Sequence, residues 1–188
     1  FTGNVGNNTN VTELEALTIT SGATTLFSGN IELASALTQT NAATGTTTFA
    51  GAVSVGSADL RGTAFNVNNS FASGGTTSFA NSGTLTKNAT GNITSTGAFN
   101  ATGNVNLAAN ITTTNTDLTI GGNLVIAEAA TPTLSTGAGA GNVLVSGTSN
   151  GTAVGVAESL TVLAGAGNVT FTGNVGNNTN VTELEALT

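Results

Sequence analysis

The chain has 188 residues, two of them basic and nine acidic, which gives a formal net charge of −7, and it contains no His, Cys, Met, Trp or Tyr. Without cysteine there are no disulfides or thiolate metal sites, and two cations are too few to neutralise the phosphates that dominate nucleic-acid affinity. No apolar run approaches the roughly 20 residues that a membrane-spanning helix requires, so we expect no membrane insertion in this segment.

The first segment of the chain returns at its other end. Residues 1–18 read FTGNVGNNTNVTELEALT, and residues 171–188 repeat them letter for letter at an offset of 170. We expect residues 1–170 to be one full tandem repeat and residues 171–188 to be the start of the next. The sequence is then one period of a longer tandem array.

Short alternating segments follow one another along the chain. Residues 11–17 place Glu13 and Glu15 two apart, which puts both carboxylates on one side of a strand. Five further short segments are rich in β-branched residues and mostly alternate apolar with polar residues, which predicts strands. These segments are residues 17–20, 53–55, 92–94, 104–107 and 143–145.

A Gly-Asn pair precedes an apolar residue at eight places in the chain. Glycine adopts positive φ without steric cost and asparagine tolerates it, so the pair predicts a corner that leads into a strand. The corner residues predicted in this way are Gly3, Asn4, Gly29, Asn30, Gly103, Asn104, Gly122 and Asn123.

The spacing of these pairs predicts an all-β solenoid. Repeating units of about 20 residues or more indicate stacked supersecondary units, and units of about 21 to 25 residues divide the 170-residue repeat into about seven or eight coils. Stacking at about 4.7 to 4.9 Å per coil gives a parallel β-helix that advances roughly 33 to 39 Å per repeat. The predicted core ladder consists of Phe1, Phe27, Phe49, Phe79, Phe99, Phe171, Leu17, Leu37, Leu60, Leu118 and Leu160, with the phenylalanines stacked in line.

A solenoid has two open ends whose unpaired strand edges can template further strands. Natural solenoids cover these ends with capping units. Residues 171–188 have the same sequence as residues 1–18 and include no distinct capping unit. We therefore expect the partner at each end to be the next repeat or the next protomer.

Few side chains suggest a chemical site. Pairs such as Thr18/Thr20 and Thr94/Thr96 could form a flat glycan-binding or ice-binding face, although threonine is also an ordinary strand residue on a solvated surface. Glu13, Glu15 and Asp117 are interpreted as solvated acids, because calcium usually takes six to eight oxygens. With no His or Cys to activate a hydroxyl, and Lys87 as the only side-chain amine, we expect no enzyme and no cofactor.

Three short motifs carry a resemblance. Residues 46–51 read TTTFAG, residues 17–20 read LTIT, and Gly-Asn-Val recurs. Together they resemble the β-strand repeats of very large bacterial surface proteins, the filamentous-haemagglutinin-like adhesins and autotransporter passenger regions. The resemblance implies secretion, a β-helical rod, and a role in adhesion, biofilm matrix or cell-surface fibres. We therefore expect a structural stalk or filament segment, with a glycan-binding or ice-binding module and a surface-layer protein as alternatives.

Overall fold

The computed structural model describes residues 1–6, 14–20, 22–152, 157–176 and 186–188. All 21 strands in these residues pair in parallel, and the chain winds through three strand positions per turn. This confirms the predicted all-β solenoid. We call the three sides of the coil faces I, II and III, in the order in which the chain visits them.

The strands divide among the three faces as follows. Face I contains β1 (Leu17–Ile19), the first part of β4 (Ala36–Phe49), the first part of β6 (Ser57–Val67), β8 (Thr77–Asn81), β11 (Phe99–Ala101), β14 (Leu118–Ile120), β17 (Val143–Val145) and β20 (Val169–Phe171). Face II contains β2 (Thr25–Phe27), the second parts of β4 and β6, β9 (Thr84–Lys87), β12 (Asn104–Leu107), β15 (Leu124–Ile126) and β18 (Ser149–Asn150). Face III contains β3 (Ile31–Glu32), β5 (Val53–Val55), β7 (Phe71–Ser73), β10 (Ile93–Ser95), β13 (Ile111–Thr113), β16 (Thr133–Ser135), β19 (Ser159–Leu163) and β21 (Ala186–Leu187).

About six turns are complete, from residue 17 to residue 142, with only residue 21 outside the described part of the chain. The described part of the chain thus contains fewer complete turns than the seven or eight coils predicted for the whole 170-residue repeat. The turns on either side pass through residues 7–13, 153–156 and 177–185, which lie outside the described residues. The unit is also variable, because paired residues in adjacent coils are separated by as few as 18 and as many as 28 residues, as in Ile93 with Ile111 and Thr133 with Thr161.

The predicted strands match the observed ones in four of the later segments. β5, β12 and β17 have the predicted bounds, and β10 begins one residue later than predicted. The segment 17–20 is observed as β1. For the segment 11–17, residues 11–13 lie outside the described part, and the described residues contribute an isolated bridge from Leu14 to Leu33 before β1 begins.

Alternation within each strand builds the core. In β5, β10, β14 and β17 the first and third residues are buried and the middle one faces outward. Inward residues from successive turns lie directly over one another, as in the series Ile93, Ile111 and Leu134 on face III. The result is a narrow apolar column that runs the length of the stack.

Seven of the eight phenylalanines are connected by ring contacts, but they do not form one column. Phe27 and Phe49 stack on face II with ring centroids 5.6 Å apart, and the contacts then pass to Phe71 on face III and to Phe79 and Phe99 on face I. The prediction of a single line fails because the turn lengths differ. On face II the residue that pairs with Phe49 in the next coil is Val67, so Phe71 falls on the following face.

Candidate functional site

The corners carry hydrogen-bonded asparagine ladders. At the corner between faces II and III, the side-chain oxygen of Asn4 accepts from the backbone N–H of Asn30, and that of Asn30 accepts from Ala52, both at 2.9 Å. At the corner between faces I and II, Asn104 accepts from Asn123 and Asn123 from Thr148, again at 2.9 Å. Each carboxamide thus replaces a backbone acceptor where the strand pairing is interrupted.

At the corner between faces III and I, side-chain oxygens also accept hydrogen bonds from backbone N–H groups of the next coil, and the first of these acceptors is a carboxylate. Asp117 Oδ1 accepts from the backbone N–H of Asn142 at 2.8 Å, and Asn142 Oδ1 accepts from Asn168 at 2.9 Å. Asp117 is therefore a member of a corner ladder, a role that the sequence interpretation missed. Its position one coil before an Asn-apolar pair was the available signal.

Gly29, Gly103 and Gly122 are required for a different reason from the one predicted, whereas a Cβ on Gly3 would meet nothing within 4 Å. Gly3, Gly29, Gly103 and Gly122 do not have positive φ; the described glycines that do are Gly6, Gly91, Gly137, Gly165 and Gly176. A Cβ on Gly29 would lie 2.5 Å from the carbonyl carbon of Gly3, and a Cβ on Gly122 would lie 2.5 Å from that of Gly103. Close approach of stacked backbones, rather than φ, excludes a side chain here.

Most of the predicted core ladder is buried, including Phe27, Phe49, Phe79, Phe99, Leu37, Leu60, Leu118 and Leu160. Three members are not. Phe1 is 63% exposed, and Leu17 and Phe171 are only partly buried. All three lie on the outermost described rungs, where no described coil covers their outer side, so their burial in a continuous array stays a prediction.

The ends of the stack expose residues that belong to the core columns. Phe1 continues the face II column, with its ring stacked 4.7 Å from that of Phe27. At the other end, Val169 lies over Val143 and Val175 over Ser149, yet they are 47% and 37% exposed. Both ends therefore present apolar groups in core register.

Several polar side chains point into the core. Thr47 donates to Gln39 Oε1 at 2.8 Å, Gln39 Nε2 donates to the Arg61 carbonyl at 2.8 Å, and Thr77 donates to Ser95 at 3.2 Å. These groups are buried and hydrogen-bonded to one another or to backbone, as buried polar groups generally are. Period-two alternation from Leu37 would have placed Gln39 inward.

Lys87 is 1% exposed and its ammonium is held by backbone carbonyls alone among the described residues. Nζ donates to Asn88 O at 2.7 Å and Thr90 O at 2.8 Å, with Val67 O at 3.5 Å. Burial lowers the pKa of Lys87 to about 8 from 10.5. This inward cation was missed by the sequence interpretation, although it follows Leu85 by two residues.

Two open depressions lie on the surface of the described residues. One of about 420 Å³ lies at the exposed end beside Phe1, Leu17 and Leu26. Another of about 300 Å³ lies on face I, lined by Asp117, Thr119, Asn142, Leu144, Asn168 and Thr170. The second is a hydrogen-bonding surface of hydroxyls, amides and one carboxylate.

The predicted acids do not come together. Glu13 lies outside the described residues, Glu15 is exposed before β1, and Asp117 belongs to a corner on another turn. In the described part of the chain no three acidic side chains are grouped closely enough to hold a metal ion.

No protein-family model matches the chain, and neither a curated protein nor a solved structure matches it. Within the described residues the structure contains no helix with the length and apolarity needed to cross a membrane.

Proposed function

We propose that the chain is a segment of an extracellular structural rod, a filament or stalk at a microbial surface or in a biofilm matrix, whose coils continue end to end. The observation that carries this proposal is the state of the end rungs. Phe1, Val169 and Val175 are in register with the core columns yet 63%, 47% and 37% exposed. Burying a fully exposed apolar side chain contributes about 1.5 to 3 kcal/mol, and covering these side chains contributes the fraction that is still exposed.

The backbone supports the same conclusion. In the described part of the chain, β1 and β2 pair only with β4, β20 only with β17, and β21 only with β19. Among the described residues, β1, β20 and β21 each have one edge without a paired strand, which favours addition of a further strand, whereas the outer edge of β2 is hydrogen-bonded to Phe1. The partner that fits both edges and columns is another copy of the repeat, in the same chain or in a second molecule.

The outward surface favours a stalk over a threonine-lined binding face. The middle outward residues on face I are Thr18, Thr38, Asp59, Ser78, Asn100, Thr119, Leu144 and Thr170. Face III has two consecutive threonines, Thr94 and Thr112, between Ala72 and Ser135. A regular threonine ladder would favour glycan or ice binding, and these mixed columns favour a solvated rod.

The extracellular setting rests on the resemblance to bacterial surface-protein repeats and on the composition. The chain has no cysteine, and 6% of its residues are charged. Its coils are held together by backbone pairing between adjacent strands, so they need no disulfides. The surface-layer alternative differs in requiring lateral contacts between rods instead of contacts at their ends.

The test is electron cryomicroscopy together with sedimentation of the 188-residue protein at increasing concentration. We expect unbranched rods with a reflection at about 4.7 to 4.9 Å along their axis. Val169→Asp places a charge on an exposed core position and is expected to shorten the rods. Thr170→Asp, on the outward side of the same strand, is the matched control and is expected to leave rod length unchanged.

Urea unfolding of both variants establishes that each is folded before the rods are compared. Compact monomers at every concentration, flat two-dimensional sheets, or equal shortening in both variants would overturn the proposed function.

A further inference from the structure

The two identical segments of the chain lie on different faces of the coil. Phe1 is on face II, since its N–H group donates to Leu26 O and its carbonyl accepts from Ser28 N–H, both at 2.9 Å. Phe171, the same residue of the next copy, is in β20 on face I, where it pairs with Val145.

Two further pairs of equivalent residues show the same displacement. Val5 bridges to Ile31 on face III, whereas Val175 bridges to Ser149 on face II. Leu17 pairs with Leu37 on face I, whereas Leu187 pairs with Leu160 on face III. Every described marker of the second copy therefore lies one face earlier than its counterpart in the first.

The displacement of the second copy by one face shows how many turns of the solenoid one repeat occupies. Counting strand positions in chain order from Phe1 on face II to Phe171 on face I, with Val5 and the strands β1 to β20 in between, gives about 23 steps of one third of a turn. Eight turns would take about 24 such steps. One repeat of 170 residues is thus one strand short of a whole number of turns.

The corners explain why the same sequence can occupy different faces. Gly29 stacks on Gly3 at the corner between faces II and III, and Gly173 stacks on Gly147 between faces I and II. Gly167 stacks on Gly141 at the third corner. Because all three corners are built from stacked glycines and side-chain acceptors, a Gly-Asn pair fits any of them.

We propose that consecutive repeats of the array are turned by one third of a turn against the strand columns, so that equivalent outward residues occupy faces I, III and II in succession. This inference rests on the proposed function, because it requires repeats to continue one solenoid. A partner that recognises the outward surface of one repeat then meets equivalent surfaces on all three sides of the rod. Neighbouring equivalents are about 37 Å apart along the axis, and the same face recurs after about 110 Å.

The test uses pairs of cysteines in the 188-residue protein, which has none of its own. Leu144 and Thr170 are outward partners in adjacent strands of face I. Neighbouring parallel strands lie about 4.8 Å apart, and a disulfide joins Cα atoms about 4.4 to 6.8 Å apart. Leu144→Cys with Thr170→Cys is therefore expected to cross-link on mild oxidation.

The control pair distinguishes the alternative in which both copies lie in phase. Phe171 would then be on face II, as Phe1 is, and Thr170 would lie beside Asn150. We expect Leu144→Cys with Thr170→Cys to give at least about tenfold more intramolecular disulfide, by intact mass and peptide mapping, than Asn150→Cys with Thr170→Cys.

Equal yields, or more disulfide in the Asn150 pair, would overturn the inference. The measurement needs no rod. A failure of the proposed function is therefore seen separately, as absence of rods from a protein that still forms the Leu144–Thr170 cross-link within face I.

Discussion

The asparagine side chain at a corner takes the place of a backbone carbonyl. Asn81 shows this most fully, because it is 2% exposed and uses both ends of its amide. Its Nδ2 donates to Gly83 O at 2.9 Å and Asn104 O at 3.1 Å, and its Oδ1 accepts from Gly103 N–H at 3.1 Å. One side chain thus joins two consecutive coils.

Asn81→Ala removes these three hydrogen bonds at a buried corner, where Gly83 O keeps only its bond from the Asn104 N–H group. We expect the free energy of unfolding to fall by about 1 to 3 kcal/mol, measured by urea denaturation. Asn106→Ala, at an exposed outward position of β12, is the control and is expected to change it by less than about 0.5 kcal/mol. Equal losses would contradict the corner role.

The stacked glycines give a second prediction. Gly122→Ala places a methyl group against the backbone of Gly103, and we expect a loss of about 1 to 3 kcal/mol in urea denaturation. A Cβ on Gly3 meets nothing within 4 Å, so Gly3→Ala is expected to be neutral or to stabilise by at most about 1 kcal/mol through the unfolded chain. A comparable loss at Gly3 would exclude backbone approach as the cause.

Lys87 gives the folded protein a pH dependence. Its pKa is about 8 when folded, against 10.5 for a lysine in water, so between these values the unfolded chain binds more protons. The free energy of unfolding is therefore expected to rise with pH across that interval. Lys87→Met removes the rise, as measured by urea denaturation in steps from about pH 7 to 10.5. If the free energy of unfolding rose with pH just as steeply in the variant, the pH dependence would not come from Lys87.

For single residues, the sequence predicted where in the coil a residue lies better than it predicted what its side chain does. The Gly-Asn pairs lie at corners of the coil, but only Gly91 among their glycines has positive φ. At most of the others the close approach of a neighbouring coil requires glycine, and such contacts cannot be read from a linear sequence. Asp117 and Lys87 were missed on similar grounds: charged side chains are usually solvated, and here one caps a coil while the other is enclosed by carbonyls.

At the scale of elements, strand position depends on turn length. Phe27, Phe49 and Phe71 are evenly spaced in the sequence, yet only the first two share a column, because the coil after Phe49 is shorter. Alternation predicted where strands occur, and it could not predict which face each one occupies. β4 and β6 add to this uncertainty, since each bends around a corner and covers two faces.

The phenylalanine chain provides a prediction at this scale. Phe49 is fully buried between Phe27 and Phe71, and Phe49→Ala is expected to lower the free energy of unfolding by about 3 to 5 kcal/mol. Phe1→Ala, at 63% exposure on an end rung, is expected to cost less than about 1 kcal/mol. Guanidinium denaturation of the two variants compares them, and similar losses would show that the end rung is closed in solution.

At the scale of the whole molecule, the offset of one third of a turn between repeats determines on which sides of the rod equivalent residues lie. A chain of several repeats with Thr119→Cys in each, labelled with gold particles, is expected to show particles on three sides of the rod in electron micrographs. Those on any one side should recur at about 110 Å. A single row at about 37 Å spacing would mean that repeats continue in phase.

The variable corners also bear on how such a chain can change during evolution. Partners in adjacent coils are separated by 18 residues at one corner and by 26 at another, while the strand columns continue unbroken. Residues inserted at a corner therefore enlarge the surface without altering which face follows. Gain or loss of one strand would instead rotate every later repeat, so insertions and deletions are expected to accumulate at corners and to spare strands.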